Sequence, residues 1–341
     1  MKNLNLAYST EATDELMPSH ELADGKYTIQ RVNGLSESGF NYTALNADGS
    51  EVSIREFFLS DICYREGSQI KFQKRSDGSL FRKLVNGFID DARYLKSLEN
   101  PHIALVSDVF EENGTAYMVS TPPNGQTLED LFAEGREFKP VEVARMANQL
   151  FSALIEIHTF GMLHRDINPK NIKVTENSDA VLLADFSTFR EDKSKVSKVV
   201  SSVLRAQSVY APIEFIFEGS EQNEASDVYS VAAILYQMMT GKPPVTCQDR
   251  LAAVGKGDPD PYVSVAQTHP RYDSKFLMSI DLSLALLNEN RVRSATEFLS
   301  CFVRGASDVL RLQSEAMDRR PKKRGFLSFI KPRKIFSLFR R

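Results

Sequence analysis

The chain has 341 residues, 42 Lys and Arg against 45 Asp and Glu, and 42% hydrophobic residues, a composition that excludes a disordered or collagen-like chain and leaves one large domain or two lobes. The formal net charge of −3 hides an asymmetry: residues 319–341 carry ten basic and no acidic side chains, leaving 32 positive and 45 negative charges, a net of −13, on the first 318 residues. Three widely separated cysteines (Cys63, Cys247, Cys301) without a C-x-x-C support neither a disulfide framework nor a zinc site.

The N-terminus lacks the apolar core of a signal peptide, and no run reaches the ~18 apolar residues of a spanning helix. A soluble, cytoplasmic body is therefore expected. Residues 1–25 are polar and aperiodic and read as a mobile tail. From Tyr27 the pattern turns to strands: Tyr27–Val32, a Gly/Ser turn at Gly34–Gly39, Phe40–Leu45, a hairpin turn at Asn46–Ser50, and Glu51–Phe58. A helical stretch over Phe88–Leu98 ends at Asn100-Pro101. Leu105–Phe110 and Ala116–Val119 read as strands around the turn Asn113-Gly114. Beyond Gly125 the period becomes helical. Pro140 opens a long helix with Val143, Ala147, Leu150, Leu154 and Ile157 on one face and Gly161 at its end. Ala225–Thr240 reads as a buried helix closed by Gly241, and Ser294 with Glu297 as a capping box for a helix to Val303. A connecting helix is expected over Ala306–Met317.

The strongest chemical signal is HRDINPKNI, His164 to Ile172, followed by LLADFS, Leu182 to Ser187. Asp166 and Asn171 share one loop, and Asp185 follows. Two hard oxygen ligands beside a separate carboxylate suit phosphoryl transfer, in which Mg²⁺ bridges phosphates while a base orients the attacking hydroxyl. The plainer alternative is a turn in which Asp166 and Asn171 bond only backbone.

With these motifs the sequence resembles the eukaryotic-type protein kinase family, closest in pattern to its bacterial Ser/Thr members, from about Tyr27 to Val303. The resemblance implies an α+β, bilobal protein-kinase-like fold: a β-rich N-lobe over 26–121, a helical C-lobe over 122–304, and a connecting helix with a basic amphipathic tail over 305–341. It implies ATP and Mg as cofactors and a protein substrate. Asp166 would be the catalytic base, Asn171 and Asp185 the metal ligands, and His164 a packed histidine near Phe186. Pro212-Ile213-Glu214 falls on the family's A-P-E, Asp227 on the aspartate that braces the catalytic loop, and Arg291 on the arginine that pairs with Glu214.

Upstream the match is less regular. Gly34, Ser36 and Gly39 occupy the Gly-rich loop, with Ser36 at the second glycine; an ordinary hairpin turn is the alternative. Arg55 stands where the family has lysine, and its helix partner is Asp91 rather than glutamate. That couple is either part of the phosphate site or a structural ion pair. Thr121 and Pro123 fall on the adenine-binding hinge, and Pro123 has no N–H to offer. Asn168 replaces the family's catalytic-loop lysine, and Ser187 the glycine of D-F-G. These departures motivate a pseudokinase, a binding or scaffolding module, as the alternative to an active enzyme. The hydroxyls Thr188, Ser194, Ser197, Ser201, Ser202 and Ser208, with Arg165 beside Asp166, suggest a phosphorylated activation segment. The tail interleaves its cations with large apolar residues, which favours an anionic membrane surface or an acidic partner over nucleic acid. Docking onto the acidic body and a simply solvated tail are the other readings.

Overall fold

The structure is a computed structural model that describes residues 14–36, 39–121, 124–177, 179–182, 208–215, 217 and 220–302. The basic tail, most of the candidate activation segment, Pro123, Asp185 and the connecting helix expected at 306–317 lie outside the described residues.

The N-terminal half is a six-stranded antiparallel sheet in the order β1-β2-β3-β4-β8-β7. Its strands are β1 (Glu21–Leu22), β2 (Tyr27–Ser36), β3 (Gly39–Asn46), β4 (Glu51–Phe57), β7 (Leu105–Glu112) and β8 (Thr115–Thr121). The β3–β4 turn closes because the Asn46 Oδ1 accepts from the backbone N–H of Asp48 (2.9 Å) and Ser50 (3.2 Å), the local bonding that favours Asn in turns. One helix, α1 (Asp77–Lys96), lies against this sheet. It buries Phe81, Leu84, Val85, Phe88, Ile89, Ala92 and Leu95, a stripe at three- and four-residue spacing. Phe57 of β4 meets Phe81 (5.3 Å) and Phe88 (5.6 Å) of that helix.

Two expectations are corrected here. The helix expected over 88–98 begins at Asp77, because its apolar stripe already runs through Phe81 and Leu84. The mobile tail expected over 1–25 does not extend to residue 25: Asp14–Lys26 packs on the sheet, with Leu16 and Leu22 buried. β1 pairs with β2, Ser19 N–H donates to Ile29 O (2.7 Å), and Ile29 N–H to His20 O (2.9 Å). Two buried leucines in a polar stretch were too sparse to give a period.

A hairpin of β5 (Cys63–Glu66) and β6 (Gln69–Phe72), not anticipated from the sequence, turns at Gly67. It carries Arg65, whose Nη2 lies 2.6 Å from Oε1 of the fully buried Glu56 on β4. Tyr117 Oη donates to the same carboxylate oxygen (2.8 Å) and Tyr42 Oη to the other (2.7 Å). The remaining Arg65 donors go to backbone: Nε to Asp14 O and Nη1 to Ser68 O. One buried ion pair thus ties the N-terminal segment, the hairpin and three strands together, with every arginine donor group engaged.

The C-terminal half is helical around two central helices, α3 (Pro140–Thr159) and α4 (Glu224–Thr240). Before α3 in sequence lies α2 (Leu128–Ala133), and a small sheet of β9 (Gln126–Thr127), β10 (Ile172–Val174) and β11 (Ala180–Leu182) frames the loop after α3. α4 is buried nearly all round and ends on Gly241 in the left-handed conformation (φ 76°), whose N–H donates to Gln237 O (2.8 Å). α5 (Cys247–Gly255), α6 (Val265–Thr268), α7 (Ser274–Ser283) and α8 (Ala295–Phe302) pack outside. Ser294 caps α8 by accepting from Glu297 N–H (3.1 Å), but the Glu297 carboxylate returns to Arg293 N–H, not to Ser294. All three cysteines are free, and burial pushes the Cys63 thiol up to about 12. Among the described residues no helix is long and apolar enough to cross a membrane.

Removing Arg65 alone leaves the Glu56 carboxylate buried without its cation. Arg65→Ala is expected to lower stability by about 3–5 kcal/mol in urea unfolding, and Glu56→Gln in that background to return part of the loss. A cost below about 1 kcal/mol would show that the pair does not hold the hairpin.

Candidate active site

The loop from His164 to Asn171 is positioned by a carboxylate on α4. Asp227, about 1% exposed, accepts from the backbone N–H of His164 through Oδ2 (2.8 Å) and of Arg165 through Oδ1 (2.8 Å). His158, at the end of α3, places Nε2 2.8 Å from Asp227 Oδ2. A carboxylate only accepts, so His158 carries its proton on Nε2. Burial alone would raise the Asp227 pKa, yet the His158 hydrogen bond and charge, His164 and the Arg165 N–H hold it below the ordinary carboxylate value. Arg165 adopts φ 65°, a left-handed conformation that costs a non-glycine residue about 1–2 kcal/mol, and its bond to Asp227 offsets that strain. The brace expected of Asp227 is therefore present, while His158 was missed. Its signal was a histidine continuing the Leu150–Leu154 stripe of α3, a polar group on a buried face that demands a partner.

Past Arg165 the chain alternates. Ile167 and Pro169 are buried, while Asp166 and Asn168 are half-buried and Lys170 is exposed. Asn168 is extended (φ −150°, ψ 167°), as the residue before a proline must be, so its side chain falls on the same side as that of Asp166. The Asp166 carboxylate then receives two amides: Asn168 Nδ2 on Oδ1 (2.9 Å) and Asn171 Nδ2 on Oδ2 (3.1 Å). Asn171 Nδ2 also donates to Asp166 O (2.9 Å). Both donations use the amide nitrogen, which leaves the Asn171 carbonyl oxygen as a hard donor beside a carboxylate. That donor set fits Mg²⁺, with Asp185, the other expected ligand, outside the described residues. Among the described residues no group of three or more His, Cys, Asp or Glu is arranged to hold a metal ion.

In the N-terminal half, Gly34, Ser36 and Gly39 lie on the β2–β3 hairpin, where Ser36 pairs with Gly39. Gly39 has φ 140°, and a Cβ there would meet the Glu56 carbonyl oxygen at 1.7 Å, so β4 can pass this close only beneath a glycine. Arg55 on β4 pairs in register with Asn41 and Met118 and shares a strand face with Phe57, the side that meets α1. Asp91 lies one turn beyond Phe88 on α1. Arg55 and Asp91 are both buried in that sheet–helix layer. Thr121 ends β8 opposite Leu105 and is exposed; Pro123 lies outside the described residues.

The Glu214–Arg291 pair is formed: Arg291 Nη1 lies 2.8 and 3.0 Å from the two Glu214 oxygens, both residues buried. Ser226 Oγ donates to Glu214 (2.6 Å) as well, and the guanidinium sits over Tyr229 at 4.7 Å. Arg291 also donates to Ala285 O and Leu286 O, so it fastens the segment after α7 to α4. Of the candidate activation-segment hydroxyls, Ser208 is described: its Oγ accepts from Tyr210 N–H (3.3 Å).

A protein kinase domain model matches residues 69–325, a range that starts after β4. The chain is 30% identical over 191 residues to the serine/threonine-protein kinase PknD of Mycobacterium tuberculosis, covering 55% of this chain and 28% of that protein. It is 30% identical over 163 residues to the probable serine/threonine-protein kinase PknB of Corynebacterium glutamicum, covering 46% and 25%. The chain thus spans well under half the length of these relatives. Among solved structures, PpkA-294 in its apo form superposes with a TM-score of 0.61 at 27% identity, covering 85% of this chain and 100% of that one.

Proposed function

The chain belongs to the protein kinase family, and from that premise we propose that it transfers the γ-phosphoryl group of ATP to Ser/Thr hydroxyls of protein. The observation that carries this reading is the Asp166 carboxylate, half-exposed on a loop whose backbone is fixed by Asp227 and whose oxygens are oriented by two amides. Asp166 accepts the proton of the substrate hydroxyl as that oxygen bonds to the γ-phosphorus. The bond from phosphorus to the bridging oxygen breaks, and ADP leaves with the electron pair. Asn171 and Asp185 would hold Mg²⁺, which when bound would neutralise charge on the phosphate oxygens. Gly34, Ser36 and Gly39 cover the nucleotide, Thr121 and Pro123 border its base, and Arg55 contacts its phosphates from a position set by Asp91.

The second reading, a pseudokinase that binds without efficient transfer, is favoured by two observations. The residue at 168 is a neutral amide turned onto Asp166 rather than a cation, and residue 55 is a buried arginine. Labelled ATP with Mg²⁺ or Mn²⁺ separates the two. Transfer that falls at least ~10²-fold in Asp166→Ala supports the enzyme. A nucleotide-dependent rise in melting temperature without transfer selects the pseudokinase.

We propose further that residues 319–341, with eight large apolar side chains among ten cations, hold the chain on anionic lipid. Near such a surface each basic residue contributes about 1 kcal/mol. The full chain should cosediment with vesicles containing phosphatidylserine and lose that binding in a chain ending at residue 318. Equal sedimentation of the two would remove the idea.

A further inference from the structure

Asn168 is placed by its backbone rather than by chance. Pro169 forces it extended, and the extended chain sends the side chains of residues 166 and 168 to one side while Ile167 and Pro169 enter the core. The side chain is short enough to stop at the neighbouring carboxylate. Both ends of its amide are engaged. Nδ2 donates to Asp166 Oδ1 (2.9 Å) and to Asp166 O (3.1 Å), while Oδ1 accepts from Lys170 N–H (3.0 Å). The amide therefore has no donor left for a nucleotide phosphate in this arrangement, and it carries no charge to offer one.

We propose that Asn168 is a positioning residue for Asp166: its amide fixes Oδ1 of the carboxylate while Asn171 fixes Oδ2, so that the carboxylate plane is set before a hydroxyl arrives. The inference rests on the phosphotransfer reading above and assigns Asn168 a role in the chemical step rather than in holding ATP. The neighbouring cation does not substitute for it. Lys170, two residues on, is exposed and faces Glu129 at 3.6 Å. The chain has thus put a base-orienting amide where the resemblance leads one to expect a phosphate-binding cation.

A positioning role predicts a split between turnover and nucleotide affinity. Asn168→Ala removes the donor without adding charge, and kcat should fall about 10- to 100-fold while the KM for ATP stays within about twofold, because misplacing a reacting group costs rate rather than binding. Asn168→Asp is nearly isosteric, keeps an oxygen to accept from Lys170 N–H, and cannot donate to Asp166. Its kcat should fall at least as far, with a melting temperature close to wild type, which separates lost orientation from a collapsed turn. A readout without nucleotide is the side-chain amide of Asn168 in a ¹H–¹⁵N spectrum of the free protein. One proton should be shifted downfield by the carboxylate and return to the ordinary amide range in Asp166→Ala. Wild-type transfer matched by undiminished kcat in Asn168→Ala would overturn the proposal, as would a loss confined to the KM for ATP. So would a side-chain amide signal that Asp166→Ala leaves unmoved. Absence of any transfer by the wild type is a different failure, since it removes the phosphotransfer reading itself and this role with it.

Discussion

One buried carboxylate decides whether the loop at the centre of this molecule has a shape at all. Asp227 sits inside the C-terminal half on a helix that is buried nearly all round, and its two oxygens take the backbone N–H groups of His164 and Arg165 while His158 closes the third side. Without an acceptor there, the buried His164 N–H would go unsatisfied at a cost of about 1–3 kcal/mol, and the half-buried, left-handed Arg165 would lose what offsets its strain. Residues 164 and 165 cannot move independently of α4. Everything downstream inherits that fixity: the alternation of Ile167 and Pro169 into the core, the exposure of Asp166, and the amides of Asn168 and Asn171 that meet its carboxylate.

The same construction recurs twice elsewhere: a buried acid is given several donors and thereby joins segments far apart in sequence. Glu214 gathers Arg291, Ser226 and Asn288, locking the stretch before α4 to the segment after α7. Glu56 gathers Arg65, Tyr42 and Tyr117, locking β3, β4 and β8 to the outer hairpin and the N-terminal segment. Buried ion pairs add little stability compared with apolar packing, but breaking one is costly, so they enforce one arrangement over its alternatives. Glu56 follows Arg55 directly on β4. The strand that presents Arg55 to the helix-facing layer is anchored on its opposite face by Glu56, which is how a network remote from the His164–Asn171 loop can fix a residue expected at the phosphates.

What the sequence revealed follows from what each feature depends on. Strands β2, β3, β4, β7 and β8 and the helices opening at Pro140 and Glu224 were legible because each has a period and a local stop signal, such as the turn at Asn46–Ser50 or Gly241. The pairings of Asp227 with the His164–Asn171 loop and of Arg291 with Glu214 were legible through resemblance alone, since no local pattern joins residues 63 or 77 positions apart. The Glu56–Arg65 network was not legible: an acid in a strand and an arginine in a short hairpin look like surface charges until the fold brings them together. The packed stretch 14–25 and the early start of α1 were missed for a simpler reason. Two leucines among polar residues, and a helix opening with Asp77-Gly78-Ser79, give too little periodicity to read. The family match itself begins after β4, past the glycine hairpin and Arg55, the region in which the sequence also departs most from the family pattern.

The central claim is that Asp227 holds the His164–Asn171 loop in one shape before any nucleotide binds. Native-state hydrogen exchange of the His164 and Arg165 amides in the free protein tests that claim most directly. If Asp227 holds them, both should exchange as slowly as the core amides of α4 and lose that protection in Asp227→Ala while α4 itself stays protected. Rapid exchange of these two amides in the otherwise folded wild-type protein would contradict it.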